Sequence, residues 1–283
     1  MKVVVVGAAG QLGRVTVERW AAAHDVTALT RREVDLADAA ALERTLDGLA
    51  PGLILNCAAY NDVDGAEADA TGALLGNAFG VLHLARAAKA AGAAFIHFST
   101  DFVFDGTHDR PYVETDQPAP MSTYGSSKLL GEWFAAEAPE AYVLRVESLF
   151  GGPRAKSSID KILASIQGGH PTRVFGDRTV TPSYVEDVVS VTEGILARQP
   201  PAGLYHCVNS GVTTWLGIAE EVARLLGREA DIVSVKLADV KLVARRPLYC
   251  ALSNAKLAAA GFTLPSWQDA LARYVAVATA RQG

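Results

Sequence analysis

The chain has 283 residues; half are hydrophobic and only 20% are charged, which excludes general disorder and leaves ample material for a large core. A formal net charge of −5 and a pI near 5.7 argue against nucleic acid as the main partner, while a local positive site for a phosphorylated small molecule stays compatible with them. At ~150 residues per domain, one or two domains are expected.

Met1-Lys2 followed by the apolar residues 3–6 has the look of an export signal. The run stops at Gly7, and Gln11 and Arg14 follow, so no adequate apolar region forms. Later in the chain no uninterrupted apolar stretch of ~18 residues occurs. A soluble protein without a membrane partner is expected. Cys57, Cys207 and Cys250 are an odd number, widely spaced and without a CxxC pair, and the six histidines form no HExxH pattern. A disulfide framework and a metal site are not expected, and a reducing cytoplasm is.

In chain order, apolar runs at residues 3–6, 26–29, 53–55, 95–98 and 142–146 read as strands. Alanine-rich stretches at 11–23, 39–49, 66–91 and 123–138 read as helices between them. Strand and helix alternate as in βαβ units around a parallel sheet. The strands are apolar throughout, as strands covered on both faces should be. Gly151-Gly152-Pro153 breaks the pattern. Beyond it, helices are predicted at 158–167, 184–197, 215–226 and 266–281, and strands at 173–175, 204–208 and 232–235. The expected architecture is an α/β doubly wound parallel sheet followed by a smaller C-terminal substrate-binding portion.

Gly7-Ala8-Ala9-Gly10-Gln11-Leu12-Gly13 sits between the first strand and the first helix. Its glycines permit a tight turn and let backbone approach a pyrophosphate, which the helix N-terminus attracts. At the end of the second strand an acidic residue would bind the ribose 2′-hydroxyl of NAD. Here Arg31 and Arg32 stand instead, and two guanidinium groups suit the 2′-phosphate of NADP. Glu33 and Asp35 lie close by and act against them. Tyr124 and Lys128, four apart on a predicted helix, share one face. Lowering a phenol from ~10 by ~3 units costs ~4 kcal/mol, an amount one ammonium at ~4 Å can supply at an effective dielectric of ~20. Ser99-Thr100-Asp101 follows the apolar run 95–98, at the strand end where open α/β sheets place their sites.

With these motifs, the chain resembles the extended short-chain dehydrogenases/reductases, and among them the dTDP-4-dehydrorhamnose reductase family. The matching pieces are GAAGQLG at 7–13, Asp35-Leu36, NCAAYNDVDGAE at 56–67, Asn77-Ala78, STDFVFDG at 99–106 and YGSSKLLGE at 124–132. Later come LRVESLFG at 144–151, VFGDRTVTPSYVEDV at 174–188, GLYHCVNSG at 203–211 and RRPLYCALSNAKL at 245–257. The resemblance implies a Rossmann-like domain at 1–150 and a mainly substrate-binding portion at 151–283, with some segments returning to the Rossmann sheet. It implies reduction of the C4 ketone of a 4-keto-6-deoxy sugar nucleotide by NADP(H), with NAD(H) as an alternative, and it admits a homodimer.

The resemblance also implies roles. Tyr124 would give its proton to the C4 oxygen, and Lys128 would lower the Tyr124 pKa and hold the nicotinamide ribose. Thr100 would bind the substrate oxygen, with Asp101 next to it. Gly10, Gln11 and Leu12 would cradle the pyrophosphate, in the turn framed by Gly7 and Gly13. Asp35 and Leu36 would sit at the adenine, and Ala58, Ala59 and Tyr60 would line the cofactor. Asn77 would support the active-site helix or a relay water. Related dehydratases carry a glutamate where this chain has Phe102, which favours simple reduction.

Two departures stand out. The family reads RTSW where this chain has Arg145-Val146-Glu147-Ser148, so Ser148 replaces the tryptophan expected against the substrate sugar. An asparagine-rich stretch near 155–158 is also missing. A pocket wider or more polar at Ser148 is expected, with Glu147 as an added acceptor for a hydroxyl or ammonium group. A ketosugar other than dTDP-4-dehydrorhamnose would then be preferred. Against this, the neighbouring Phe150 would stand in for the lost tryptophan. Two rival functions remain: a non-catalytic cofactor-binding subunit, like the regulatory partner of methionine adenosyltransferase, and a reductase of a ketone that is not a nucleotide sugar.

Overall fold

The computed structural model describes residues 1–153 and 156–280. In chain order the first half contains β1 (Lys2–Val6), α1 (Gln11–Trp20), β2 (Asp25–Leu29), α2 (Ala39–Asp47), β3 (Leu53–Asn56), α3 (Gly65–Ala68), α4 (Ala70–Leu74), α5 (Gly80–Ala91), β4 (Ala94–Thr100), α6 (Thr123–Ala135) and β5 (Ala141–Val146). The second half adds α7 (Ser158–Gln167), β6 (Thr172–Phe175), β7 (Thr179–Val180), α8 (Val185–Arg198), β8 (Gly203–His206), β9 (Thr213–Thr214), α9 (Trp215–Leu226), β10 (Ile232–Val235), α10 (Ala255–Ala259) and α11 (Trp267–Ala280). The predicted tail helix reached Arg281, which lies outside the described residues.

Six strands form one parallel sheet in the order β2-β1-β3-β4-β5-β8. The chain runs outward from β1 to β2, then returns to β3 on the other side. This reversal opens a crevice at the carboxyl ends of β1 and β3, where doubly wound folds bind ligands. Alternate residues of the central strands face opposite layers. Val3, Val5, Leu53, Leu55 and Ile96 pack towards α1 and α8, and Val4, Val6, Ile54 and Phe95 towards α2 and α5. A further core joins α7, β6, α9 and α11 through Ile159, Ile162, Val174, Ile218 and Leu271. In the second half, α8 and β8 rejoin the main sheet, and Arg19 on α1 reaches Glu193 on α8 at 3.0 Å.

The predicted helix at 66–91 is broken. Asp69 leaves helical geometry and its side chain accepts from Gly72 N. The backbone then widens into a π-helical turn at Leu75–Phe79 before α5 begins. Alanine content favoured one long helix, but short polar side chains compete for backbone N–H groups. The strand predicted at 95–98 runs on to Thr100, so Ser99 and Thr100 are strand residues, and Asp101 opens a 3₁₀ turn.

Candidate active site

A cavity of about 460 Å³ lies over the crevice. Its wall includes Gly10 before α1, Gln11 and Leu12 from α1, Ala58 and Ala59 after β3, Thr100 at the end of β4, Asp101 and Phe102 after it, Tyr124 and Lys128 from α6, and Ser148 after β5. Arg178 and Trp215 close it from the second half.

The glycine turn has a steric cause. Gly7 has φ +80°, and a Cβ there would lie 2.5 Å from Ala58 N. A Cβ at Gly13 would lie 2.4 Å from the Gly7 carbonyl. Only glycine permits this approach. Gly10 is the N-cap of α1, with no side chain capping the helix, so the amide end of α1 opens on the cavity. That end fits a pyrophosphate by charge and by the room a missing side chain leaves. Gln11 reaches across to the Gly151 carbonyl at 2.8 Å, tying this end to the second half.

The other predicted cofactor residues sit behind or beside the wall. Asn77, buried in the π turn, accepts from Tyr60 N at 2.8 Å and donates to the Tyr60 carbonyl at 3.1 Å and to Ser127 Oγ on α6 at 3.0 Å. It thus braces the Tyr60 loop against the helix that carries Tyr124. Leu36 is buried where α5 begins, so close that a Cβ at Gly80 would meet it at 2.7 Å. Arg31 is exposed and 3.7 Å from Asp35, while the Glu33 carboxylate takes the Thr30 N–H and hydroxyl. Arg32 is exposed at the same strand end.

Tyr124 and Lys128 both reach the cavity, but their electrostatics differ from the expectation. Lys128 Nζ donates to the Phe98 carbonyl at 2.6 Å and lies 3.5 Å from His97 Nε2. Burial brings the ammonium down to about 8, with Glu132 acting against the fall. Burial, and then the Asp101 carboxyl, push the Tyr124 phenol up, while a hydrogen bond with Thr100 acts in the other direction. The Lys128 ammonium is turned to the strand carbonyl, on the wall it shares with Tyr124. The Phe102 ring stands edge-on to Tyr124, with centroids 5.6 Å apart.

Two expectations at the sugar end are corrected. Glu147 does not line the cavity; it is 1% exposed, and its Oε2 accepts from Thr181 N and Oγ1, both at 2.6 Å. Phe150 is fully buried and stacked on Tyr184 at 5.2 Å, so it cannot meet a substrate. Trp215, the first residue of α9, joins Phe98, Phe102 and Tyr124 as an aromatic of the cavity wall that also holds Ser148. Of the missing asparagine stretch, 155 lies outside the described residues, while Lys156, Ser157 and Ser158 are in the wall. Sequence reasoning missed Arg178 and Trp215. The signal for Trp215 was faint: an aromatic at a helix start after two threonines. Arg178 stood in a quoted motif but carried no assigned role.

A nucleotide crevice with a tyrosine and a lysine one helical turn apart at its mouth defines an α/β oxidoreductase of the short-chain dehydrogenase/reductase class. Residues 1–280 match the family described as RmlD substrate binding domain. The chain belongs to the dTDP-4-dehydrorhamnose reductase family. It is 37% identical to a dTDP-4-dehydrorhamnose reductase of Mycobacterium tuberculosis, over 97% of this chain and 92% of that one. Its fold is similar to that of a dTDP-4-dehydrorhamnose reductase from Clostridium acetobutylicum, with TM-score 0.94 and 29% identity over 99% of this chain and 100% of that one. The Bacillus anthracis enzyme of the same name, solved in complex with NADP, gives TM-score 0.92 at 28% identity, over 96% and 98% of the two chains.

Proposed function

We propose that this protein reduces the C4 ketone of a 4-keto-6-deoxy sugar nucleotide, with NADPH as the preferred reductant and NADH as a weaker one. The observation that carries the reading is convergence: the open amide end of α1, Thr100, Tyr124 and Lys128 all face one cavity. Bound NADPH supplies the hydride. Gly10, Gln11 and Leu12 hold its pyrophosphate, Ala58 and Ala59 flank it, and Arg31 and Arg32 reach its 2′-phosphate. Thr100 orients the ketone oxygen and Tyr124 gives it a proton. Lys128, once it meets the nicotinamide ribose and the developing phenolate, offsets the cost of that charge. Residues 1–150 hold the cofactor, and most of 151–283 holds the substrate. A second cavity of about 340 Å³ shares Ser158, Arg178 and Trp215 with the first and carries Lys161 and Arg173, cations suited to the nucleotide's diphosphate.

Among the described residues no helix is long and apolar enough to cross a membrane. The three unpaired thiols support a reducing cytoplasm as its compartment. A homodimer belongs to this reading; Trp133, 62% exposed on α6, supports it with an apolar surface.

The test is NADPH oxidation with dTDP-4-dehydrorhamnose and with branched or amino-substituted ketosugar nucleotides. Tyr124→Phe should lower turnover by at least ~100-fold while NADPH still binds. Cofactor binding without turnover of any ketone would point to the non-catalytic subunit instead. With Ser148 in the wall, a ketosugar other than dTDP-4-dehydrorhamnose should give the highest kcat/KM; a tenfold advantage for dTDP-4-dehydrorhamnose, about 1.4 kcal/mol in transition-state binding, would mean that Trp215 restores the ordinary pocket.

A further inference from the structure

Behind the Thr100 end of the cavity lies a buried group of four side chains from four parts of the chain: Asp101, Glu147, Arg178 and Cys250. Carboxylate oxygens of Asp101 and Glu147 and the Cys250 Sγ all lie within 4.8 Å of one another. Arg178 Nη2 is 4.0 Å from Asp101 Oδ2 and 3.3 Å from Cys250 Sγ, and its Nε donates to the Pro247 carbonyl. One guanidinium thus faces two carboxyls. Glu147 Oε2 is held by Thr181, but Glu147 Oε1 and Asp101 Oδ2 are buried with no hydrogen-bond partner among the described residues. Two ionised carboxylates this close in a buried site repel each other, and the stable state keeps a proton on one of them. A metal ion is a poor alternative occupant, because the Arg178 cation already stands beside the pair.

The proton has a route to the reacting centre. Thr100 Oγ1 donates to Asp101 Oδ1 at 2.9 Å, and Thr100 and Tyr124 line the same cavity. We propose that Glu147 is a positioning residue for the reduction: with Asp101 it holds one shared proton, which passes through the Thr100 hydroxyl to restore Tyr124 after each turnover. The proposal rests on the ketoreductase reading above. In the step, a carboxyl O–H bond breaks and Thr100 Oγ1 takes that proton. The hydroxyl proton of Thr100 moves to the phenolate oxygen of Tyr124. Both carboxyls are left ionised beside Arg178 until one takes a proton from water, and nothing is oxidised or reduced. Burial, and then the Asp101 charge, raise Glu147 to about 8, against the Thr181 hydrogen bonds and the Arg178 charge. Burial raises Asp101 as well. The other titratable groups facing the pair are Tyr124 on α6, Cys250, and Tyr249, which senses the Glu147 charge.

The test compares kcat against pH for the unaltered protein and for Glu147→Gln, which keeps the side chain's size. In the unaltered protein kcat should fall as pH rises through about 8, approaching tenfold per pH unit. Glu147→Gln should be about 10-fold slower at pH 7 and fall less steeply above pH 8, where Lys128 alone still titrates, with KM for NADPH and ketosugar changed less than about twofold. Glu147→Asp should restore the steeper fall. A Glu147→Gln profile that superimposes on the unaltered one overturns the proposal. Infrared spectra of the resting protein at pH 7 give a second readout that needs neither substrate nor a folded variant. The carbonyl stretch of an un-ionised carboxylic acid should be present in the unaltered protein, and its absence overturns the shared proton. A protein that shows the band but reduces no ketosugar nucleotide overturns the ketoreductase reading, and with it the relay, leaving the shared proton standing.

Discussion

Arg31 and Arg32 show how far a single side chain's neighbours decide its strength. Both are exposed at the end of β2, yet their local partners differ. Arg31 lies 3.7 Å from Asp35. The Glu33 carboxylate is engaged by Thr30 and stays below its usual range through those hydrogen bonds. Two cations therefore face outward with one acidic neighbour occupied elsewhere. Charge-assisted hydrogen bonds to a 2′-phosphate are worth roughly 1.5–3 kcal/mol, which corresponds to about a 10- to 150-fold preference for NADPH over NADH. Replacing both arginines with alanine should erase that preference in kcat/KM measured with each cofactor. Equal use of the two cofactors by the unaltered protein would show that the pair plays no part.

At the scale of elements, the π-helical turn at Leu75–Phe79 is the segment that connects cofactor loop and catalytic helix. A π turn inserts an extra residue into the helical register, and such turns recur at functional sites. Here it presents Asn77 to the Tyr60 backbone and to Ser127 together. The α6 helix answers with Gly131, where a Cβ would lie 2.2 Å from the Asn77 carbonyl. Both elements thus rely on close backbone approach. Asn77→Ala should leave the half-buried Tyr60 N–H and the buried Ser127 hydroxyl without this partner. A loss of roughly 1–3 kcal/mol is expected, read as a lower denaturant midpoint, together with a raised KM for NADPH as the Tyr60 loop loosens. Unchanged stability would mean that water replaces the amide.

For the whole molecule, the edge strand β8 is joined to the long connection between β4 and α6 through His206. Its backbone N–H donates to Glu114 at 2.8 Å, and its ring Nδ1 lies 3.1 Å from the Tyr112 carbonyl. Burial, and then the Arg145 charge, bring His206 down to about 3. His97, also buried, lies well below its ordinary value for the same first reason. An unfolded histidine takes a proton near pH 6.5. Both folded residues resist it, so the stability they contribute is full above about 6.5 and is lost as pH falls below it, for His206 down to about 3. The slope reaches about 1.4 kcal/mol per pH unit for each histidine. His206→Asn should flatten the acid limb of a denaturation series between about pH 6.5 and 4.5 by up to that amount per unit. An acid limb identical to that of the unaltered protein would show that the ring is protonated in the fold.

The repeating apolar runs determined the parallel sheet by themselves, because strands covered on both faces have few other compositions open to them. The glycine turn, the Thr100 strand end and the Tyr124–Lys128 pair were legible for a related reason: each is a local geometry, set by spacing along one strand, turn or helix. The π turn was not legible, since its Asn77 meets partners 17 and 50 residues away in Tyr60 and Ser127. Only the tertiary structure could turn Lys128 towards the Phe98 carbonyl, bury Phe150 out of reach and bring Trp215 to the cavity. It alone assembled Asp101, Glu147, Arg178 and Cys250 from four separate segments. Sequence spacing carries information about neighbours within an element, whereas burial and charge at a site arise where elements meet.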